Sequence, residues 1–237
     1  MKTVLHKAAT RGHASHGWLD SWHTFSFANY HDAERVHFGA LRVLNDDTVA
    51  PGMGFGKHPH DNMEIISIPL EGYLEHQDSM GTKQTIREGD VQAMSAGTGI
   101  AHSEKNGSTT APVKFLQIWV FPNKRNVEPH YDQKTFSDVE KHNKLVTVVS
   151  PINDGDAAVH IHQDAWFSLG NLDKDVSVNY DVKQDGNGVY IFVLEGDVAV
   201  NDIVLNRRDG LGISETKSLS IKATSNSKLL LMDVPMN

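Results

Sequence analysis

"IPLEGYLEHQDSMGTKQTIREGDVQAMSAGTGIAHS", residues 68–103, can be laid over "FVLEGDVAVNDIVLNRRDGLGISETKSLSIKA", residues 192–223. Each opens on an apolar run that ends in Leu-Glu-Gly (70–72 and 194–196) and passes through a hairpin-like stretch. Each then meets a second turn, Arg-Glu-Gly-Asp (87–90) or Arg-Arg-Asp-Gly (207–210). Leu-Glu-Gly alone is a common way to close a strand. The shared order of strand, turn and second turn points instead to duplication of one small β-domain.

Working outward, the same texture continues. Short runs rich in Val, Ile, Leu and Phe recur: "ALRVLN" (40–45), "EIISIPL" (64–70), "KFLQIWVF" (114–121), "LVTVVS" (145–150), "VYIFVLE" (189–195) and "KLLLMDV" (228–234). Turn signals separate them, among them "DSMG" at 78–81 and "DGNG" at 185–188. Helical periodicity is scarce, so the chain is predicted to be all-β, a sandwich or barrel. One polar stretch, "PNKRNVEPHYDQKTFSDVEKHNK" (122–144), breaks the pattern and reads as the link between halves, with "FSDVEKH" as a short helix. The expected domains are 1–125 and 126–237.

Composition narrows the function. A chain of 237 residues can bury a sizeable core unaided. It has no cysteine, which removes disulfides, thiolate metal sites and cysteine nucleophiles together. The formal charge of −8, with no Lys/Arg block, argues against holding phosphate backbones or docking on anionic membranes. No apolar segment has the length of a signal peptide core or a membrane span, and a cytoplasmic protein is expected.

The chemistry concentrates in two short stretches. "GKHPHDNME" (56–64) and "GIAHSEKN" (99–106) hold His58/His60 and His102/Glu104, each pair at i and i+2. On a strand such residues face one way. If the two segments pair inside a barrel, three imidazoles and a carboxylate converge, a donor set that suits a divalent transition metal. Other histidines invite the same reading less well. His160 and His162 have no downstream His-x-Glu and lie in an ordinary alternating strand, "AAVHIHQDA". His13, His16 and His23 fit neither strand nor helix ligation, and packing or hydrogen bonding is expected of them.

"GMGFGKHPHDNME" followed by "LEG", then "GDVQAMSAGTGIAHSEKN", resembles the two signature motifs of the cupin superfamily. Within it "HGWLDSWHTFSFANYHD", "HPH", "MSAGTGIAHSE" and "QIWV.P" are similar to bacterial pirins, from about residue 11 to the C-terminus and most densely over 11–121. The resemblance implies a bicupin of two tandem antiparallel β-sandwich (jelly-roll) domains with few short helices. It places metal ligands on His58, His60, His102 and Glu104. Ordinary cupins draw a carboxylate from the first motif, here Glu64, but its spacing to Gly72 is one residue longer than usual. Glu64 is therefore expected off the metal, with a part in orienting a ligand still open. In the second repeat Val182 and Gln184 stand where His58 and His60 would be, so a single ion per chain in the first domain is expected.

Pirins are similar to flavonol 2,3-dioxygenases, and the resemblance implies opening of the quercetin heterocycle by O2 with loss of carbon monoxide. Iron(II) is the expected ion, with Ni, Cu, Co, Mn and Zn compatible with the same donors. Glu104 would serve as ligand and as the base that takes the flavonol hydroxyl proton. The partners expected are a flat aromatic flavonol and O2, with no direct nucleic acid. Phe25, Phe27, Met53, Phe55, Met63 and Trp119 are candidates for an apolar mouth, though each also reads as plain core. Two other classes stay open: a metal-containing redox sensor that partners a transcription regulator, and a cupin that isomerises or merely binds a small ligand.

Overall fold

A computed structural model describes residues 1–155 and 158–237. In chain order the first half forms β1 (Lys2–His6), β2 (Gly12–Ser15), β3 (Leu19–His23), β4 (Leu41–Val49), β5 (Gly54–His60) and β6 (Glu64–Glu71). It continues with β7 (Tyr73–Asp78), β8 (Lys83–Arg87), β9 (Asp90–Ser95), β10 (Ile100–Asn106) and β11 (Val113–Val120), and β12 (His130–Thr135) opens the second half. The helix α1 (Asp138–Lys141) follows, opened by a capping box in which Ser137 and Glu140 satisfy each other's backbone amides. The second half goes on with β13 (Leu145–Pro151), β14 (Val159–Ile161), β15 (Trp166–Leu172), β16 (Ser177–Asp181) and β17 (Asn187–Glu195). It ends with β18 (Val198–Val200), β19 (Ile203–Leu205), β20 (Gly210–Ser214), β21 (Ser218–Ala223) and β22 (Ser227–Pro235). No helix among the described residues is long and apolar enough to cross a membrane.

The expected all-β bicupin is what forms. Two seven-stranded sheets, β12-β9-β6-β11-β4-β3-β2 and β1-β20-β17-β22-β15-β13-β14, lie at the centre. Their facing sides share one core, in which Leu41, Ile66 and Leu116 of the first half meet Phe167, Phe192 and Leu230 of the second. The four-stranded sheets β5-β10-β7-β8 and β16-β21-β18-β19 complete the two sandwiches. Strand pairing crosses the division expected between residues 125 and 126 in both directions. β1 pairs with β20 of the second half, and β12 pairs with β9 of the first. An unpaired strand edge is a liability, and each half covers one edge of the other.

The duplicated motifs have a backbone cause. The glycines of Leu-Glu-Gly, Gly72 and Gly196, take φ of 79° and 77°, a conformation an L side chain resists. The second turns match with a shift of one residue from the sequence reading. Asp90 accepts the Arg87 amide and Asp209 the Asn206 amide, so Arg87–Asp90 corresponds to Asn206–Asp209. Arg208, at φ 65°, holds the place of Gly89.

Alternation with period two then sorts side chains to two faces. On β4, β6, β9 and β11 the residues Leu44, Ile66, Ala93 and Ile118 face the shared core. Their neighbours point into the first sandwich. There Gln92, Ser67, Gln117, Asn45 and His23 stand in direct register across β9, β6, β11, β4 and β3. The interior of the second sandwich is filled by apolar side chains such as Val189, Ile191, Leu211 and Leu231. A buried polar row therefore runs through the first barrel, and the site is built on it.

Candidate metal centre

β5 and β10 are antiparallel neighbours, with His102 directly opposite His58 and Ile100 opposite His60. The ladder shifts between His102 and Glu104, so that Glu104 comes opposite Phe55, a bulge of the sort that re-aims a side chain near a site. Gly54 permits the close approach, because a Cβ there would lie 2.4 Å from the Glu104 carbonyl oxygen. The imidazole centroids of His58, His60 and His102 are 4.5–5.0 Å apart.

The ring nitrogens of these three histidines lie within 4.8 Å of one another, and those of His76 and His102 lie equally close to a Glu104 oxygen. The four expected residues thus meet as two overlapping groups joined through His102. Both groups lie in the first half of the chain. His76, opposite Glu104 on β7, was not among the residues read from sequence. Its signal was the alternation Leu74, His76, Asp78, all buried, against outward Glu75 and Gln77. Its Nε2 lies 3.2 Å from Asp78 Oδ2, while its Nδ1 has no partner.

The donor set fits a divalent ion. His58 Nδ1 donates to the Gly56 carbonyl at 2.8 Å, which leaves Nε2 with the lone pair. His102 is 2% exposed, yet neither ring nitrogen has a protein partner. Such an orphaned imidazole is costly unless something binds it. Burial, reinforced by neighbouring imidazoles, pushes His102 down to about 3 and His60 down to about 4, so both are neutral, the form that ligates. Glu104, 1% exposed, accepts from Ser67 Oγ at 2.7 Å and from Gln117 Nε2 at 2.6 Å. Two donors from the polar row therefore fix the carboxylate's orientation.

Glu64 lies off this site. It shares the face of Ile66 and Ile68, toward the shared core, and accepts from Ser95 Oγ at 2.6 Å. Ser67, on the other face of the same strand, is the residue that touches Glu104, so Glu64 orients no ligand. Burial raises the Glu64 carboxyl to about 7, against the lowering effect of Ser95.

A cavity of about 310 Å³ opens beside His58, His60 and Glu104. Phe27, Phe55 and Trp119 form its apolar sides. Phe25 belongs to the core between the halves, Met63 packs beside Trp119 away from the cavity, and Met53 is 45% exposed. Of the N-terminal histidines, His13 stacks on Trp22 and pairs with Asp20, as packing and hydrogen bonding would have it. His16 and His23 line the cavity, and His23 contacts Ser21. His160 pairs with Asp132 of β12, the strand that flanks β9.

Comparison with known proteins agrees with this fold. The Pirin family model matches residues 4–120, and a second model, described as the quercetinase C-terminal cupin domain, matches residues 147–234. A quercetin 2,3-dioxygenase of Escherichia coli K12 is 46% identical over 231 residues, 98% of each chain. A pirin-like protein of Caulobacter vibrioides is 40% identical over 222 residues, covering 94% of this chain and 95% of its own. The crystal structure of the bacterial pirin YhhW from Escherichia coli in complex with nickel(II) superimposes with a TM-score of 0.94 at 44% identity, over all of both chains.

Proposed function

The chain belongs to the pirin family, and from that premise we propose that it is a metal-dependent dioxygenase that opens the heterocycle of flavonols such as quercetin. One observation carries the reading: an aromatic-walled cavity lies directly against His58, His60 and the buried Glu104 carboxylate, with His102 in the same close group. A relative 46% identical bears the name quercetin 2,3-dioxygenase, which supports the substrate class. We assign the metal to His58, His60, His102 and Glu104, with iron(II) as the working ion. The nickel complex of YhhW supports a divalent ion at such a site.

A bound ion of this kind supplies a Lewis acid and, when redox-active, access to O2. The chain's own groups do the rest. Phe27, Phe55 and Trp119 clasp a flat ring system and exclude water from it. Glu104 Oε1 and Oε2 are already held by Ser67 and Gln117, so the carboxylate can take a flavonol hydroxyl proton without swinging. The apolar second barrel closes the shared core and carries no ligand. Work in the cytoplasm suits a cysteine-free chain.

The test is aerobic turnover across first-row metals and a flavonol panel. Quercetin absorbance should bleach with release of carbon monoxide, and metal analysis should return about one ion per chain. Failure with every metal would refute the dioxygenase and favour a sensor or binding protein.

A further inference from the structure

The cavity has a second polar end that the proposed chemistry leaves unused. Ser21 and Asp47 face each other in register on β3 and β4, and the Ser21 hydroxyl donates to Asp47 Oδ1. With that proton committed, His23 Nε2, 2.8 Å from Ser21 Oγ, must be the donor of its own bond. Burial holds His23 below its usual range, so the ring is neutral and its lone pair sits on Nδ1. That nitrogen has no partner, and neither does Asn45 Oδ1 on the adjacent strand. Ser21, His23, Asn45 and Asp47 are all buried, and all line the cavity.

Ser21 takes Asp47 Oδ1, so Oδ2 is the acceptor that Asp47 offers at this end of the cavity, with the enclosed, unpartnered His23 and Asn45 atoms beside it. The strongest charges acting on Asp47 are acids, Asp46, Glu104 and Asp20, which add to the burial that raises its carboxyl to about 7. Among the described residues, no cation is one of the strongest charges acting on it. Unsatisfied buried acceptors are costly, and a hydroxyl is the group that relieves them. Asn45 stands in register with Gln117, the residue that holds Glu104, and Asp47 lies two residues further along the strand. That offset is roughly 7 Å, a span that one hydroxylated aromatic ring bridges.

We propose that Asp47, with Ser21, His23 and Asn45, receives a phenolic hydroxyl on the ligand's far side and so selects polyhydroxylated flavonols over bare-ringed ones. The inference rests on the flavonol reading and deepens it. The four residues position the ligand and take no part in breaking bonds.

The test is anaerobic titration of the nickel-loaded full chain with quercetin and with 3-hydroxyflavone, which keeps the hydroxy-carbonyl but has no other hydroxyl. Wild-type protein should bind quercetin at least about tenfold more tightly, the scale of a buried site that loses its hydroxyl partner. Asp47→Ala and Ser21→Ala, with nickel content retained, should bring the ratio to within about twofold by weakening quercetin alone. Ser21→Ala removes a single oxygen and covers the case in which Asp47→Ala does not fold. A wild-type ratio near one, or a ratio unchanged in the variants, overturns the inference and leaves the dioxygenase standing. Binding of neither flavonol by wild-type protein removes both.

Discussion

Replacing Ser67 with alanine tests whether Glu104 is held as a ligand. Ser67 is fully buried, and its hydroxyl is one of two donors that fix the Glu104 carboxylate. Alanine keeps the strand and removes one oxygen, so packing changes little. A hydrogen bond to a charged group is worth about 1.5–3 kcal/mol. Two consequences separate. The part of that energy felt without metal appears as lower stability of the metal-free protein, about 1.5 kcal/mol by urea unfolding. The part spent on orientation appears in metal affinity, where loss of such an outer partner weakens binding about 10–100-fold. Competition for nickel against a chromophoric chelator measures the second directly. A dissociation constant within about twofold of wild type, with the stability loss present, would refute the idea that Glu104 is a ligand steered by Ser67.

Three further outcomes are expected. His102→Ala, which removes the imidazole common to both close groups, should lower nickel or iron content from about one ion per chain to nearly none by elemental analysis, and stoichiometric retention would contradict the assignment. Asp46 accepts from Arg11 Nη1 at 3.2 Å and from Arg208 Nε at 2.8 Å, joining the halves; Asp46→Ala takes the shared carboxylate from two buried guanidinium groups, leaving Arg208 only the more distant Glu195 at 3.8 Å, and should cost about 3 kcal/mol in urea unfolding, a loss that Asp46→Ala with Arg208→Met should partly restore. Glu64, raised to about 7 in the folded chain, keeps a proton that the unfolded chain releases near the ordinary 4.5 of a glutamate. Its contribution is therefore present below pH 4.5 and lost as pH rises to about 7, so the stability of Glu64→Gln relative to wild type should climb across that window and level off above it. A flat difference would mean that Glu64 titrates alike in the folded and unfolded chain.

Much of this architecture was legible because β-structure writes its faces into alternate residues. The spacing of His58/His60 and His102/Glu104 forecast same-face pairs on neighbouring strands, and β5 and β10 supply them. Glu64 and Ser67 sit three apart on one strand, which is why one residue of extra spacing sent the acid to the far face. His76 was less visible, since nothing in "LEHQD" tells which strand will lie opposite it. The polar row was invisible for the same reason. Gln92, Ser67, Gln117, Asn45 and His23 come from five segments, and only register aligns them. The exchange of β1 and β12 is likewise a matter of edges, which alternation does not encode.

That exchange has a consequence for anyone who would divide the gene. A fragment ending at residue 125 would keep β1 without its neighbour β20 and lose β12 from the flank of β9. It would also bare to water the apolar side of the sheet β9-β6-β11-β4-β3-β2 that remains. Neither piece is a freestanding miniature of the whole. Coexpressed, the two pieces carry each other's missing borders and are suited to reassemble as a complementation pair, with metal capture as the readout. A core substitution in the rear barrel's inward-facing wall is thereby expected to be felt at the site proposed in the front one, across the packing that the two share.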